Sequence, residues 1–122
     1  MILGIGTDII EIDRIEKAIE KNPNFLNKVF TEKEIELFKS KNMRYEVIAG
    51  NFAGKEALSK ALGTGIRGFA LKDIEILRDH LGKPVVIIND NIKEIIGTEH
   101  KISISISHNK NDAVSFVILE AI

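Results

Sequence analysis

The sequence predicts an α+β fold, a largely antiparallel sheet with helices packed on one face. Three observations predict it. Apolar residues in the first half recur at a helical period. Those after Gly68 alternate with polar ones. The order is one strand, then helices, then at least four strands. The chain has 122 residues, the size of one ordinary domain, and residues 1–122 read as a single unit without repeat or linker.

Met1 to Thr7 reads as a strand ending at Asp8. From Ile9 the period becomes helical, with Ile9, Ile12, Ile15 and Ile19 on one face, and the helix ends near Asn22-Pro23. Thr31 to Glu34, TEKE, is a capping box that opens a second helix to about Lys41. A third starts near Tyr45 and stops at Gly63, where glycine accepts a positive φ. Asp73 to Leu77 alternates as a strand, Arg78 to Pro84 turns, and Val85 to Ile88 returns. Asp90 to Gly97 predicts a short helix. Ile102 to Ser107, ISISIS, alternates strictly, so its isoleucines face a core. His108 to Asp112 connects it to a strand from Ala113 to Leu119.

Composition excludes several classes. Net charge is −1, so there is no basic excess for nucleic acid. There is no cysteine, hence no disulfide, thiol nucleophile or thiolate metal site. No apolar run reaches membrane-span length, and MILGIGTDII has no basic region or cleavage site of a signal peptide. No membrane association and a cytoplasmic location are the expectation.

Four features could carry chemistry. Asp8 lies where the first helix is expected to begin, and capping that helix would explain it. Glu56 and Lys60 lie one turn apart at the edge of a strip of small residues, Ala53, Ala57 and Ala61. They read either as an i,i+4 pair contributing roughly 0.2–0.5 kcal/mol or as a metal-binding or catalytic carboxylate beside a phosphate-binding lysine. Gly63-Thr64-Gly65 is either a helix cap and turn or a backbone cradle for phosphate. Ser107-His108 ends the alternating strand. His80 and His100 sit in polar connections and take no role. Two carboxylates and a lysine suit a hard cation holding a phosphate ester, as magnesium does. No P-loop is present.

These residues, in this order, resemble the holo-acyl carrier protein synthase family, the small 4′-phosphopantetheinyl transferases. The segments that carry the resemblance are GIGTDIIEIDRI, FTEKE at Phe30 to Glu34, FAGKEALSKALGTGI, GKP at Gly82 to Pro84, and SISHNKNDAVSFVILE. The resemblance implies transfer of phosphopantetheine from coenzyme A to a serine of apo-acyl carrier protein, with magnesium as cofactor. It implies Asp8 and Glu56 as metal ligands and Lys60 beside the phosphates. His108 would be a coenzyme A phosphate contact, with Ser59, Gly63, Thr64 and Gly65 near the nucleotide end. Arg14 would dock the acidic carrier protein, a surface that Lys17 and Lys21 extend. Glu56, directly or through a metal-bound water, is the candidate base, with Asp8 as its competitor. A homotrimer with active sites between subunits is also implied. Two departures stand out. Asn51 replaces the arginine common before the F-A-x-K-E-A run, which removes a cation near the phosphates. Gly54 replaces alanine, at a helix-propensity cost of about 1 kcal/mol. The alternative is a non-catalytic module binding coenzyme A or the carrier protein.

Overall fold

A computed structural model describes residues 1–64 and 67–122. The chain runs β1 (Ile2–Glu11), α1 (Ile12–Lys21), α2 (Phe25–Val29), α3 (Glu32–Ser40), α4 (Tyr45–Leu62), a 3₁₀ turn (Leu71–Asp73), β2 (Ile74–Arg78), β3 (Pro84–Ile88), α5 (Asp90–Ile96), β4 (His100–His108) and β5 (Asp112–Ala121). The α+β class holds. The strands divide into two antiparallel sheets, β1-β5-β4 and the β2-β3 hairpin. One short helix, α2, was not expected from the sequence.

β1 corrects one expectation. Its ladder to β5 continues past Asp8, through Ile9 opposite Val114 to Glu11 opposite Asp112. Asp8 is therefore a mid-strand residue and caps nothing, and α1 begins only at Ile12. Ile9 is 67% exposed on the outer face, away from the buried Ile15. The cross-strand partners on β5 outweigh the helical period that Ile9 shares with α1.

α4 lies over the inner face of the three-stranded sheet, and its small strip explains how. Ala53, Ala57 and Ala61 are buried. A Cβ on Gly4 would sit 1.9 Å from the Ala61 carbonyl oxygen, and one on Gly6 would sit 1.8 Å from that of Ala57. Strand and helix backbones thus touch, because neither presents a side chain larger than methyl there. Further along, a Cβ on Gly54 would meet Ile76 Cδ1 at 2.6 Å and Ile104 Cδ1 at 3.1 Å. The glycine that costs α4 helix propensity is the slot into which β2 and β4 insert their isoleucines. α4 ends as expected, at Gly63 with φ 78°.

One apolar cluster joins α4 to β2, β3, α5, β4 and β5. A second, containing Phe30 and Phe38, joins α1, α3 and the first turns of α4. Between them lies a buried polar network. The capping box forms, with Glu34 N–H donating to Thr31 Oγ1 and Thr31 N–H to Glu34 Oε1. The same Glu34 Oε1 accepts from Lys55 Nζ at 2.6 Å, both side chains being fully buried. Lys55 also donates to the carbonyls of Val29, Leu71 and Ile74. Burial raises the pKa of Glu34 and lowers that of Lys55, and their mutual attraction opposes both shifts.

Gly6→Ala should lower stability by about 3 kcal/mol and the melting temperature by about 10 °C. Gly63→Ala, with nothing within 4 Å of the added Cβ, should cost only about 1 kcal/mol of left-handed strain. Thermal unfolding of the two variants checks the contrast, and equal losses would contradict the backbone contact.

Candidate active site

Asp8, Glu56 and Lys60 come together. On β1, Asp8 shares the inward side with Gly4 and Gly6, and the contact of those glycines with α4 sets its distance from the helix. Lys60 Nζ donates to Asp8 Oδ1 at 3.2 Å and to the Thr7 carbonyl at 2.9 Å. Lys60 is bridged to β1, and no Glu56–Lys60 ion pair forms among the described residues. Lys60 is 57% exposed, so its bridge to Asp8 contributes roughly 0–1 kcal/mol of stability. What it does is hold a cation beside two carboxylates.

Glu56 is half-buried, and its pKa is raised. Burial is the larger cause and the negative charge of Asp8 the second, while Lys60 opposes both. Two carboxylates close enough to repel, with oxygen donors only, fit a small hard cation that keeps waters and shares substrate phosphates. Among the described residues no group of three or more His, Asp or Glu side chains gathers to hold a metal.

The remaining expected residues are placed differently. Ser59 is 2% exposed and its hydroxyl donates to the Lys55 carbonyl at 2.9 Å, so it turns inward. Gly63 spends its N–H on the Lys60 carbonyl at 3.1 Å, which leaves one donor fewer for a phosphate cradle. Thr64 is exposed beyond it, and Gly65 lies outside the described residues. Arg14, Lys17 and Lys21 are exposed on α1, where Lys17 pairs with Asp13 at 3.0 Å and has its pKa raised by that contact.

His108 lies elsewhere. It lines a cavity of about 240 Å³ with Lys41, Arg44, Glu46, Val47 and Arg78. Val47 and Asn51 lie about 180° and 140° around the α4 axis from Glu56. The carboxylate–lysine group and the basic cavity therefore occupy opposite flanks of one helix. Sequence reasoning missed Lys41, Arg44 and Arg78. Their signal was faint, since each sits singly at an element end, and only the fold gathers them. A larger cleft of about 570 Å³, beside Glu11, Asp13, Glu16 and Asp112, includes none of the expected residues. Lys55, inside the F-A-G-K-E-A run, proves to be part of the buried network and not of the site.

A mid-strand aspartate facing a helical glutamate and lysine, on an α+β frame of this size, defines a candidate phosphoryl-transfer site. The family model described as the 4′-phosphopantetheinyl transferase superfamily matches residues 4–118, and the chain belongs to that superfamily. It is 58% identical to the holo-[acyl-carrier-protein] synthase of Clostridium botulinum, with both chains covered in full. It is similar to the crystal structure of a holo-(acyl-carrier-protein) synthase from Bacillus anthracis in complex with CoA (3′,5′-ADP). That match has 43% identity and a TM-score of 0.83, covering 100% of this chain and 99% of that one. The holo-[acyl-carrier-protein] synthase structure from Neisseria meningitidis matches at 35% identity and a TM-score of 0.89, covering 98% and 99%.

The electrostatics can be checked by ¹³C titration of the Glu56 carboxyl in metal-free protein. Asp8→Asn removes a repelling charge and should lower its pKa. Lys60→Met removes an attracting one and should raise it. Shifts of the opposite sign, or none, would contradict the clustering.

Proposed function

We propose that this chain transfers 4′-phosphopantetheine from coenzyme A to a serine hydroxyl of an apo-acyl carrier protein, releasing adenosine 3′,5′-bisphosphate. The observation that carries the reading is the Lys60–Asp8 contact beside Glu56. It occurs in a chain similar along its whole length to proteins named holo-[acyl-carrier-protein] synthase. The serine oxygen forms a bond to the phosphorus that bears pantetheine, and the pyrophosphate P–O bond breaks. Glu56 is our candidate for taking the serine proton, because it is a half-buried carboxylate set beside Asp8 and Lys60, where the serine would approach the phosphates. Lys60 faces the phosphate that leaves and offsets the charge it gains. Asp8 and Glu56 would hold magnesium, which supplies charge neutralisation at the pyrophosphate. Arg14 and Lys21, exposed on α1, are the cations offered to an acidic carrier protein. We place the reaction in the cytoplasm.

The basic cavity around His108 suits the nucleotide end of coenzyme A. It lies on the far flank of α4 from Glu56, so one chain offers the two halves of a site on opposite sides. A second copy of the chain, set with one half against the other, would complete it. The outer face of the three-stranded sheet supports self-association. Ile5, Ile9, Val114 and Phe116 are exposed there in neighbouring positions, an apolar patch that water does not favour. We read the assembly as a homotrimer with active sites between subunits.

The non-catalytic alternative rested on Asn51. That side chain is a buried joint of the fold, so its presence no longer argues for lost activity.

Intact mass of a purified apo-carrier protein, incubated with this protein, coenzyme A and magnesium, should rise by one phosphopantetheine, and chelator should abolish the gain. Glu56→Gln should cut the rate by about 10²-fold or more while still binding coenzyme A. Unchanged transfer by that variant would remove Glu56 from the mechanism. Separately, Phe116→Glu should convert an assembly of three 13.6 kDa chains into monomers with little activity. Light scattering that finds the variant still trimeric would sink the role of this face.

A further inference from the structure

Asn51 raises a question of charge. The resemblance leads to an arginine at this position, near the phosphates of coenzyme A, and here a neutral amide stands instead. The amide is fully buried, and its orientation follows from its partners. Nδ2 donates to Glu34 Oε2 at 3.1 Å and to the Ile76 carbonyl at 2.8 Å. Both amide hydrogens are then spent, which leaves Oδ1 as an acceptor on the other side. There it receives an N–H from Arg78 Nη2 at 2.9 Å. Glu34 cannot turn away, since Lys55 and the backbone N–H groups of Thr31 and Ile76 hold its carboxylate.

Arg78 stands at the end of β2. Nη1 donates to the Leu77 carbonyl at 3.1 Å. Asn51 and Leu77 together engage only part of a fork with five N–H donors. The side chain is half-buried and lines the cavity that Lys41, Arg44 and His108 also line. Glu46 is the single carboxylate of that lining, and Arg44 pairs with it at 3.5 Å. Lys41 and Arg44 flank a turn in which Asn42 and Met43 take φ of 59° and 54°, a conformation uncommon for residues other than glycine. The cavity is therefore cationic, and its guanidinium is aimed by a buried side chain.

Coenzyme A carries two separate anionic groups, the pyrophosphate that reacts and the 3′-phosphate on the ribose. The first fits the group formed by Asp8, Glu56 and Lys60, where a cation can join carboxylates to phosphate. A phosphate monoester bound without metal is well met by side-chain cations, and arginine meets its oxygens with two parallel hydrogen bonds. We propose that Arg78 supplies the cation absent at position 51, binding the 3′-phosphate of coenzyme A from β2, with Asn51 as the residue that positions its guanidinium. The inference rests on the coenzyme A reading given above. The charge has moved from the helix to the neighbouring strand, and the amide left on the helix orients it.

The test is calorimetric titration of the full chain, with magnesium, against coenzyme A and against 3′-dephospho-coenzyme A. Wild type should prefer coenzyme A. Arg78→Gln should weaken coenzyme A binding about ten- to hundredfold and leave 3′-dephospho-coenzyme A unchanged. Arg78→Lys should recover part of the loss. The exchange variant Asn51→Arg with Arg78→Asn should restore the preference, because the cation returns to the helix. A merely structural Arg78 would weaken both ligands together, and that result overturns the proposal. So does an Arg78→Gln variant that keeps the full preference for the 3′-phosphate. If Arg78→Gln does not fold, Arg78→Lys and the exchange variant decide, and a folded exchange variant blind to the 3′-phosphate counts against it. Wild type that binds neither ligand would instead fell the coenzyme A reading itself, whatever residue stands at position 78.

Discussion

The contact of β1 with the backbone of α4 is the constraint on which the rest depends. Gly4 and Gly6 leave no room between strand and helix for a side chain, and Ala57 and Ala61 return the favour with methyl groups. Such proximity costs conformational entropy at two glycines. Close packing over the length of the strip offsets it. The functional consequence lies one residue pair further along the strand. Asp8 points to the same side as Gly4 and Gly6, so the distance at which they meet α4 also sets its distance from Glu56 and Lys60.

The opposite flank of α4 is held by different means. Lys55, Glu34 and Asn51 are buried polar residues that tie α4 to the capping box of α3, to β2 and to the 3₁₀ turn. Burying an ion pair costs desolvation that its attraction only partly repays, so net stability is a weak account of it. Direction is a better one. Each member has its hydrogen bonds assigned by the next, and the last of them, Asn51, presents an oxygen to Arg78. A capping box that in most helices saves a few orphan N–H groups here also anchors a chain of contacts leading to the basic cavity.

A single helix thus separates two chemistries. Carboxylates and a lysine face β1 on one flank, and cations line the cavity beside β4 on the other. Under the proposed function, a substrate with phosphates that need both flanks would be served by two copies of the chain. The exposed apolar face of the three-stranded sheet is consistent with that arrangement, since Ile5, Ile9 and Phe116 gain nothing from water.

Local signals in the sequence determined most of the helices, the alternating strands, and the stop of α4 at Gly63. Thr31 and Glu34 form their capping box because both partners lie within one turn. Glu56 and Lys60 were legible as neighbours for the same reason. Asp8 was legible as a metal ligand only through the resemblance, and the helix cap that would have explained it otherwise does not form, because the length of β1 is decided by pairing with β5, over a hundred residues away. The partner of Lys60 was equally hidden, since an i,i+4 glutamate is visible in the sequence and a strand carbonyl is not. Asn51 read as a missing charge until its hydrogen bonds to Glu34, Ile76 and Arg78 could be seen. Spacing along the chain determined the elements and the residue types available. Only tertiary structure decided which of them meet, because backbone approach and buried hydrogen bonds join residues that no local pattern relates.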